Sequence, residues 1–331
     1  MNNVPDRWIW LHRLAWRLRL VDTVRLFASL FRRYPLRNEV SSTQKPLFII
    51  GSGRSGNTLL RALLVAHGEY AIPPESYVLG TAIREYYTFS FLPWTILARL
   101  VLSRFESHPQ FTNWGVDLQP LYSRLVALPP EERNLAYLLD GLYRFYAEEK
   151  QPSATRWGDK TPLNVYFLPE TKLVFPGAQY INLVRDGRDV VASYLDSGLY
   201  QDLEAAAHRW LRSVNSARRF RSQTGPRQYL EVRYESLVTQ TEAALQQVCQ
   251  FLEISYRQEM LRYHEKTALL GDAHLPQYAN LANPINARSI SKWNAFFSAP
   301  QKGQLNALLG DTLKSLLPLP ARSSLTSKKE R

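Results

Sequence analysis

Residues 51–58, GSGRSGNT, gather hydrogen-bond donors into one short turn. Gly51, Gly56 and Thr58 fall on the G-x-x-x-x-G-K-[ST] frame of a nucleotide phosphate loop, yet Asn57 stands where that loop carries its lysine. A glycine-rich turn that opens a helix offers an anion unpaired backbone N–H groups and the positive end of the helix dipole. Gly53 and Gly56 keep that backbone open, while Arg54, Ser55, Asn57 and Thr58 add side-chain donors around the same point. The missing lysine normally serves β- and γ-phosphates beside Mg²⁺. A group with less negative charge, such as a sulfuryl, needs neither that lysine nor a metal, because hydrogen-bond donors can stabilise its transfer. The plain alternative is a Gly-Ser turn that only joins a strand to a helix, and the arginine inside the turn weighs against it.

A second stretch, INLVRDGRDVVASY (181–194), has the same strand–turn–helix form. Its apolar run ends at Arg185, a turn with Gly187 follows, and Ser193 comes eight residues after the arginine. If a helix starts near Arg188, Ser193 falls in its second turn. Arginine and hydroxyl then converge on one phosphate at the C-terminal edge of the sheet, where open α/β sheets bind ligands. Taken alone, Arg185 reads equally well as an ion-pair partner of Asp186 or Asp189.

Together, GRSGNTLL and LVRDGRDVVASY resemble the sulfotransferase superfamily, whose members use 3′-phosphoadenosine 5′-phosphosulfate (PAPS). The resemblance runs from about Pro46 to Trp293 and is nearest to the bacterial and protein-tyrosine branch. It implies that the first loop grips the 5′-phosphosulfate and that Arg185 and Ser193 grip the 3′-phosphate. RYESL (233–237) is similar to the family's Y-E-x-L stretch and places Tyr234 near the nucleotide. SISKWN (289–294) resembles a late loop over the cofactor, with Lys292 reaching its phosphates. WGDKTP (157–162) looks like the family's lysine–proline segment, which makes Lys160 a stabiliser of the leaving phosphate. AIPPESYVLG (71–80) places Glu75 21 residues after Arg54, the spacing of the protein-tyrosine branch's base glutamate. Glu75 also reads as a simple helix start after Pro73-Pro74. His67, His108 and His208 are candidate bases by residue type only. One departure stands out: Gln277 occupies the place of a serine used by the protein-tyrosine branch, in a loop that helps define the acceptor site.

The expected catalytic group is therefore Glu75, Lys160 and Arg54. The expected nucleotide group is Gly53, Arg54, Ser55, Gly56, Asn57, Thr58, Arg185, Ser193, Tyr234 and Lys292. No metal is expected. The acceptor is a hydroxyl or amine of a glycan, lipid or small molecule, walled by the helical segment 76–150 with its aromatic stretch EYYTFSFLPW (85–94). Two other readings stay open here, a P-loop kinase-like phosphotransferase and a nucleotide-binding scaffold without catalysis. The kinase needs Mg²⁺ ligands, for which Asp159 is the one tempting acid.

These residues need elements to hold them. Pro46 follows a polar connector, LFII then reads as a buried strand, and NTLLRALLVAH continues with helical spacing. Helical patterns dominate 76–150, strands are expected at 179–184 and near 228–232, and 271–289 reads as a long ordered loop. Strands alternating with helices predict an α/β fold, a short parallel sheet with a P-loop-like turn and helices on both faces. The expected division is a basic helical extension over 1–45, a sulfotransferase domain over 46–319 and a disordered tail over 320–331.

The net charge of +12 sits mostly at the two ends of the chain, with nine basic against three acidic residues in 1–45 and six against two in 302–331. That placement does not form the basic, aromatic-lined face of a nucleic-acid binder. It suits first a cytoplasmic protein with solvated basic ends, and second one whose N-terminal helix, if it does not pack on the domain, touches the inner face of a membrane. Cys249 is the single cysteine, which excludes an internal disulfide framework and a cysteine-based zinc site. The longest uncharged apolar stretch, Tyr86–Ala98, is short for a membrane span and is broken by Pro93.

Overall fold

A computed structural model describes residues 33–39 and 45–316. The expected N-terminal extension lies largely outside these residues, and the tail over 320–331 lies wholly outside them. The described strands are β1 (Leu47–Gly51), β2 (Tyr70–Ala71), β3 (Arg156–Lys160), β4 (Gln179–Val184) and β5 (Tyr229–Arg233). They pair in parallel in the order β2-β3-β1-β4-β5.

Side-chain alternation along β1 divides the interior in two. Phe48 and Ile50 enter one core, with Trp157 and Tyr180 from the flanking strands. Helices α2 (Leu79–Phe89), α3 (Trp94–Glu106), α4 (Gln119–Val126) and α5 (Leu135–Lys150) cover that face. Leu47 and Ile49 enter the other core, with Ile181, Leu183 and Val232. That face is covered by α1 (Asn57–His67), by α10 (Thr241–Leu252) and by the 3-10 segment Gln258–Leu270. A third cluster joins α7 (Gly187–Asp196), α8 (Leu203–Arg221) and α12 (Ala299–Leu316) around Trp210. The remaining helices are the short α6 (Leu168–Val174), α9 (Tyr234–Thr239) and α11 (Trp293–Phe296).

The parallel sheet with helices on both faces is the expected fold, and β1, β4 and β5 lie where the sequence puts them. β3 was not expected, since RWGDK holds three charged residues, a glycine and no β-branched side chain. Intrinsic strand preferences span only ~1 kcal/mol. Burying Trp157, stacked on Tyr143 at 4.3 Å, outweighs them, at about 1.5–3 kcal/mol for a large apolar side chain. The segment 271–289 contains a 3-10 turn, Pro276–Ala282. No helix among the described residues is long and apolar enough to cross a membrane.

Candidate active site

The glycine-rich turn lies between β1 and α1, at the C-terminal edge of the sheet. Gly56 caps α1 at φ 94°, and a Cβ there would come within 2.5 Å of the Tyr234 ring. Gly68, at the far end of α1, shares a positive φ of 91° but has open space around it. Gly56→Ala should therefore destabilise the chain by more than Gly68→Ala, whose cost is the left-handed backbone alone, about 1–2 kcal/mol. Denaturant unfolding of the two variants measures that difference.

Four of the expected residues meet beside this turn. Arg54 Nε donates to Ser193 Oγ at 2.9 Å. Arg185 Nη1 donates to the Arg54 carbonyl at 2.9 Å, and its Nη2 donates to the Ser289 carbonyl at 2.5 Å. The guanidinium lies 4.6 Å from the Tyr234 ring centroid. Arg185 forms no ion pair with its acidic neighbours, because both are taken. Asp186 caps α7 and pairs with Arg188 at 2.6 Å. Asp189 accepts the backbone N–H groups of Ser291 and Trp293 at 2.8 and 3.0 Å. Those bonds pin the late segment to the Arg185 motif. Lys292, between the two pinned residues, is exposed.

A second centre forms at the end of β3. The β1–β3 register sets Lys160 opposite Ile49 and Asp159 opposite Phe48, so the two side chains take opposite faces. Lys160 is fully buried and contacts Glu75 Oε1 at 2.5 Å. It also donates to Thr58 Oγ1 at 3.2 Å, which joins this centre to the first turn of α1. Tyr278 Oη donates to Glu75 Oε1 at 3.2 Å, with its ring centroid 5.3 Å from Lys160 Nζ. Tyr77 hydrogen-bonds Glu75 as well and stacks on His108 at 5.0 Å.

Burial alone would raise the pKa of Glu75. The Lys160 charge, with hydrogen bonds from Lys160, Tyr77 and Tyr278, overcomes it and holds the carboxyl below its ordinary value. Burial works equally against the Lys160 ammonium, but the Glu75 carboxylate outweighs it and the lysine pKa rises. The pair is thus charged, and it neutralises itself.

Asp159 faces the core, where Tyr143 and Asn164 each donate to it at 2.6 Å. It is taken up by that network and faces away from the turn, which removes the tempting Mg²⁺ ligand of the kinase reading.

Arg54, expected both beside Lys160 in catalysis and on the nucleotide, has its side chain hydrogen-bonded to Ser193 and lies with the Arg185 cluster. Of the helical segment 76–150, expected to wall the acceptor, Tyr77 stands at Glu75 and His108 behind it, but the stretch EYYTFSFLPW does not. Instead Tyr86 and Trp94 are buried in the first core, while Phe89 and Phe91 are exposed. The rings that stand against Glu75 are Tyr77 and Tyr278. Of the histidines, His67 is buried against the Ser255 carbonyl and His208 is exposed beside Glu204. His108 approaches only through Tyr77. Sequence reasoning missed Tyr278, although it adjoins the flagged Gln277. It also missed Arg61 and Asp272, a fully buried ion pair at 2.7 Å between α1 and the late segment.

The turn suits an anionic nucleotide. Ser55 Oγ and Arg185 Nε are buried donors with no hydrogen-bond partner among the described residues, whereas the Asn57 side-chain amide donates to the Ser52 carbonyl at 2.9 Å. Native interiors rarely leave such groups unpaired without a ligand or water to meet them. The nearby acids Asp186, Asp189 and Glu75 are each engaged by cations or N–H groups, so donors are in excess. No group of three or more metal-ligating side chains occurs among the described residues.

Residues 46–258 match the family model described as the sulfotransferase family. A putative protein-tyrosine sulfotransferase of Caenorhabditis briggsae is 24% identical over 270 residues, 78% of this chain and 84% of the relative. Protein-tyrosine sulfotransferase 2 of Gallus gallus is 25% identical over 268 residues, 76% of this chain. This chain spans 64% of that relative's length, slightly under two thirds. Among solved structures, the sulfotransferase domain from the Synechococcus PCC 7002 olefin synthase gives a TM-score of 0.58 at 21% identity, covering 86% of this chain and 99% of its own. The sulfotransferase domain from the curacin biosynthetic pathway gives 0.57 at 23% identity, covering 83% and 99%. At such identities these two likenesses speak for the fold alone.

Proposed function

Because this chain belongs to the sulfotransferase family, a family of PAPS-dependent transferases, we propose that it moves the sulfuryl group of PAPS to a phenolic hydroxyl, with Glu75 as general base. The observation that carries the reading is the contact of Glu75 with Lys160 at 2.5 Å, at the mouth of the donor-rich turn. A scaffold without catalysis has no need of a buried carboxylate–lysine pair there, since burying two charges costs several kcal/mol per ion before their attraction is counted.

When bound, PAPS supplies an activated sulfuryl group whose departure leaves negative charge on the 5′-phosphate. The backbone N–H groups of the turn, with Ser55, Asn57 and Thr58, hold that end of the nucleotide. Arg185, Ser193 and Arg54 hold the 3′-phosphate, Tyr234 lies against the adenosine, and Lys292 stands at the edge. Glu75 takes the proton of the acceptor hydroxyl. Lys160 turns its ammonium toward the charge gathering beside Thr58. A base whose pKa is held low suits a phenol better than an aliphatic alcohol, because the phenol proton is the more acidic. The rings of Tyr77 and Tyr278 supply an aromatic setting for such an acceptor. The names of the worm and chicken relatives, both protein-tyrosine sulfotransferases, support a tyrosyl phenol.

Calorimetric titration with 3′-phosphoadenosine 5′-phosphate (PAP) in EDTA tests the donor half of the reading. Wild type should bind PAP and discriminate against ADP. Arg185→Ala should lose at least about tenfold in affinity, since hydrogen bonds to charged groups contribute about 1.5–3 kcal/mol each. Equal affinity for ADP, or an unaffected Arg185→Ala, overturns it. A panel of tyrosyl peptides, small phenols, glycans and lipids with PAPS then tests the acceptor.

A further inference from the structure

Tyr278 touches both members of the buried pair, donating to Glu75 Oε1 at 3.2 Å while its ring faces Lys160 at 5.3 Å. It comes from a different part of the chain than either, the 3-10 turn Pro276–Ala282. The chain is fastened six residues before Tyr278 by the Arg61–Asp272 ion pair, and Arg61 Nε also donates to the Ile72 carbonyl, three residues before Glu75. One buried arginine thus braces both the base segment and the segment that carries Tyr278. We propose that Tyr278 is a positioning residue for sulfuryl transfer, keeping the Glu75 carboxylate aimed at the acceptor once Lys160 is drawn to the nucleotide. The inference rests on the reading of Glu75 as the base.

A carboxylate held by Lys160 alone would lose its partner at the moment it must act. Tyr278 and Tyr77 remain as donors, and burial keeps both phenols protonated, because it raises their pKa. The other charged and titratable groups around Glu75 are Lys160 and Asp159 from β3, Arg61 from α1, Asp272 from the late segment, and His108 stacked on Tyr77. Of these only Lys160 contacts the carboxylate, so removing the Tyr278 hydroxyl deprives it of one of three donors. That change favours the protonated acid and raises the Glu75 pKa.

The test uses wild type, Tyr278→Phe and Glu75→Gln, each labelled with glutamate carrying ¹³C at the side-chain carboxyl. The resonance absent from Glu75→Gln reports Glu75. In Tyr278→Phe its titration midpoint should rise by about one pH unit, a tenfold change in the ionisation equilibrium, with PAP affinity within about twofold of wild type. With PAPS and a tyrosyl peptide, the acid limb of the rate profile should move in the same direction. An unmoved midpoint overturns the proposal, as does a Tyr278→Phe chain that loses PAP binding, which would mark the tyrosine as scaffold. If Glu75→Gln transfers sulfuryl at the wild-type rate, the base reading itself fails, an outcome distinct from an unmoved Tyr278→Phe midpoint, which overturns only the positioning role.

Discussion

Glu75→Gln is expected to slow sulfuryl transfer by about 10²- to 10⁴-fold, the usual worth of a positioned general base. PAP affinity should not fall. The amide still accepts a hydrogen bond, and Lys160, no longer neutralised, is freer to meet a phosphate. A lysine left buried without a counter-charge is costly, so the variant should also be less stable near neutral pH. The pH dependence follows from the shifts. The folded pKa of Glu75 lies below its unfolded value, so its stabilisation is fully present above the ordinary carboxyl range and is lost as pH falls through the folded value. The folded pKa of Lys160 lies above the ordinary lysine value, so its share is present below that value and is lost as pH rises through the folded one. The stability gap between wild type and Glu75→Gln should therefore be widest between those limits and should close toward acid. Denaturant unfolding at several pH values reads it directly. A gap that stays constant into acid would show that the pair is not ionised as described.

Asp272→Ala should cost about 3–5 kcal/mol of unfolding free energy, the penalty for stranding a buried charge. Arg61 is fully buried and bound at three points, to Asp272 at 2.7 Å, to the Leu270 carbonyl at 2.5 Å and to the Ile72 carbonyl at 2.9 Å. Removing the aspartate leaves the guanidinium with two carbonyls and no counter-charge. Replacing both partners by leucine should recover much of the loss, because two apolar side chains avoid desolvating either ion. A double-mutant cycle followed by urea unfolding measures the coupling, and additive single losses would contradict the structure. Turnover should fall beyond what stability explains, since the same arginine braces the segments carrying Glu75 and Tyr278.

Local pattern made much of this molecule legible. The runs LFII and INLV carry the β-type, unbroken hydrophobicity of strands buried on both faces, and each leads into a turn whose glycine position is physically required or tightly packed. Glu75 and Lys160 were readable through the family's spacing. What stayed hidden depends on distant partners. β3 has a weak strand sequence and is held by Trp157 on Tyr143 and by pairing on both edges. Its Gly158 is explained only by the neighbouring strand, since a Cβ there would meet the Leu47 carbonyl at 2.9 Å. Tyr278 lies in a segment without periodicity, where the family resemblance singles out Gln277, one residue away. The direction of the Arg54 side chain was hidden for a related reason: its backbone belongs to the turn, but a left-handed conformation at φ 63° and a hydrogen bond to the distant Ser193 hydroxyl set where it goes.

The hydrogen bonds that tie Arg185 to Ser289, and Asp189 to Ser291 and Trp293, have a thermodynamic consequence. The proposed nucleotide site draws on residues from 53 to 292, so no fragment holding a single motif could assemble it. The donor therefore selects the completed chain over every partly folded one. Its binding free energy adds to the cooperativity of the whole sheet by mass action, about 2.7 kcal/mol when free ligand stands a hundredfold above its dissociation constant.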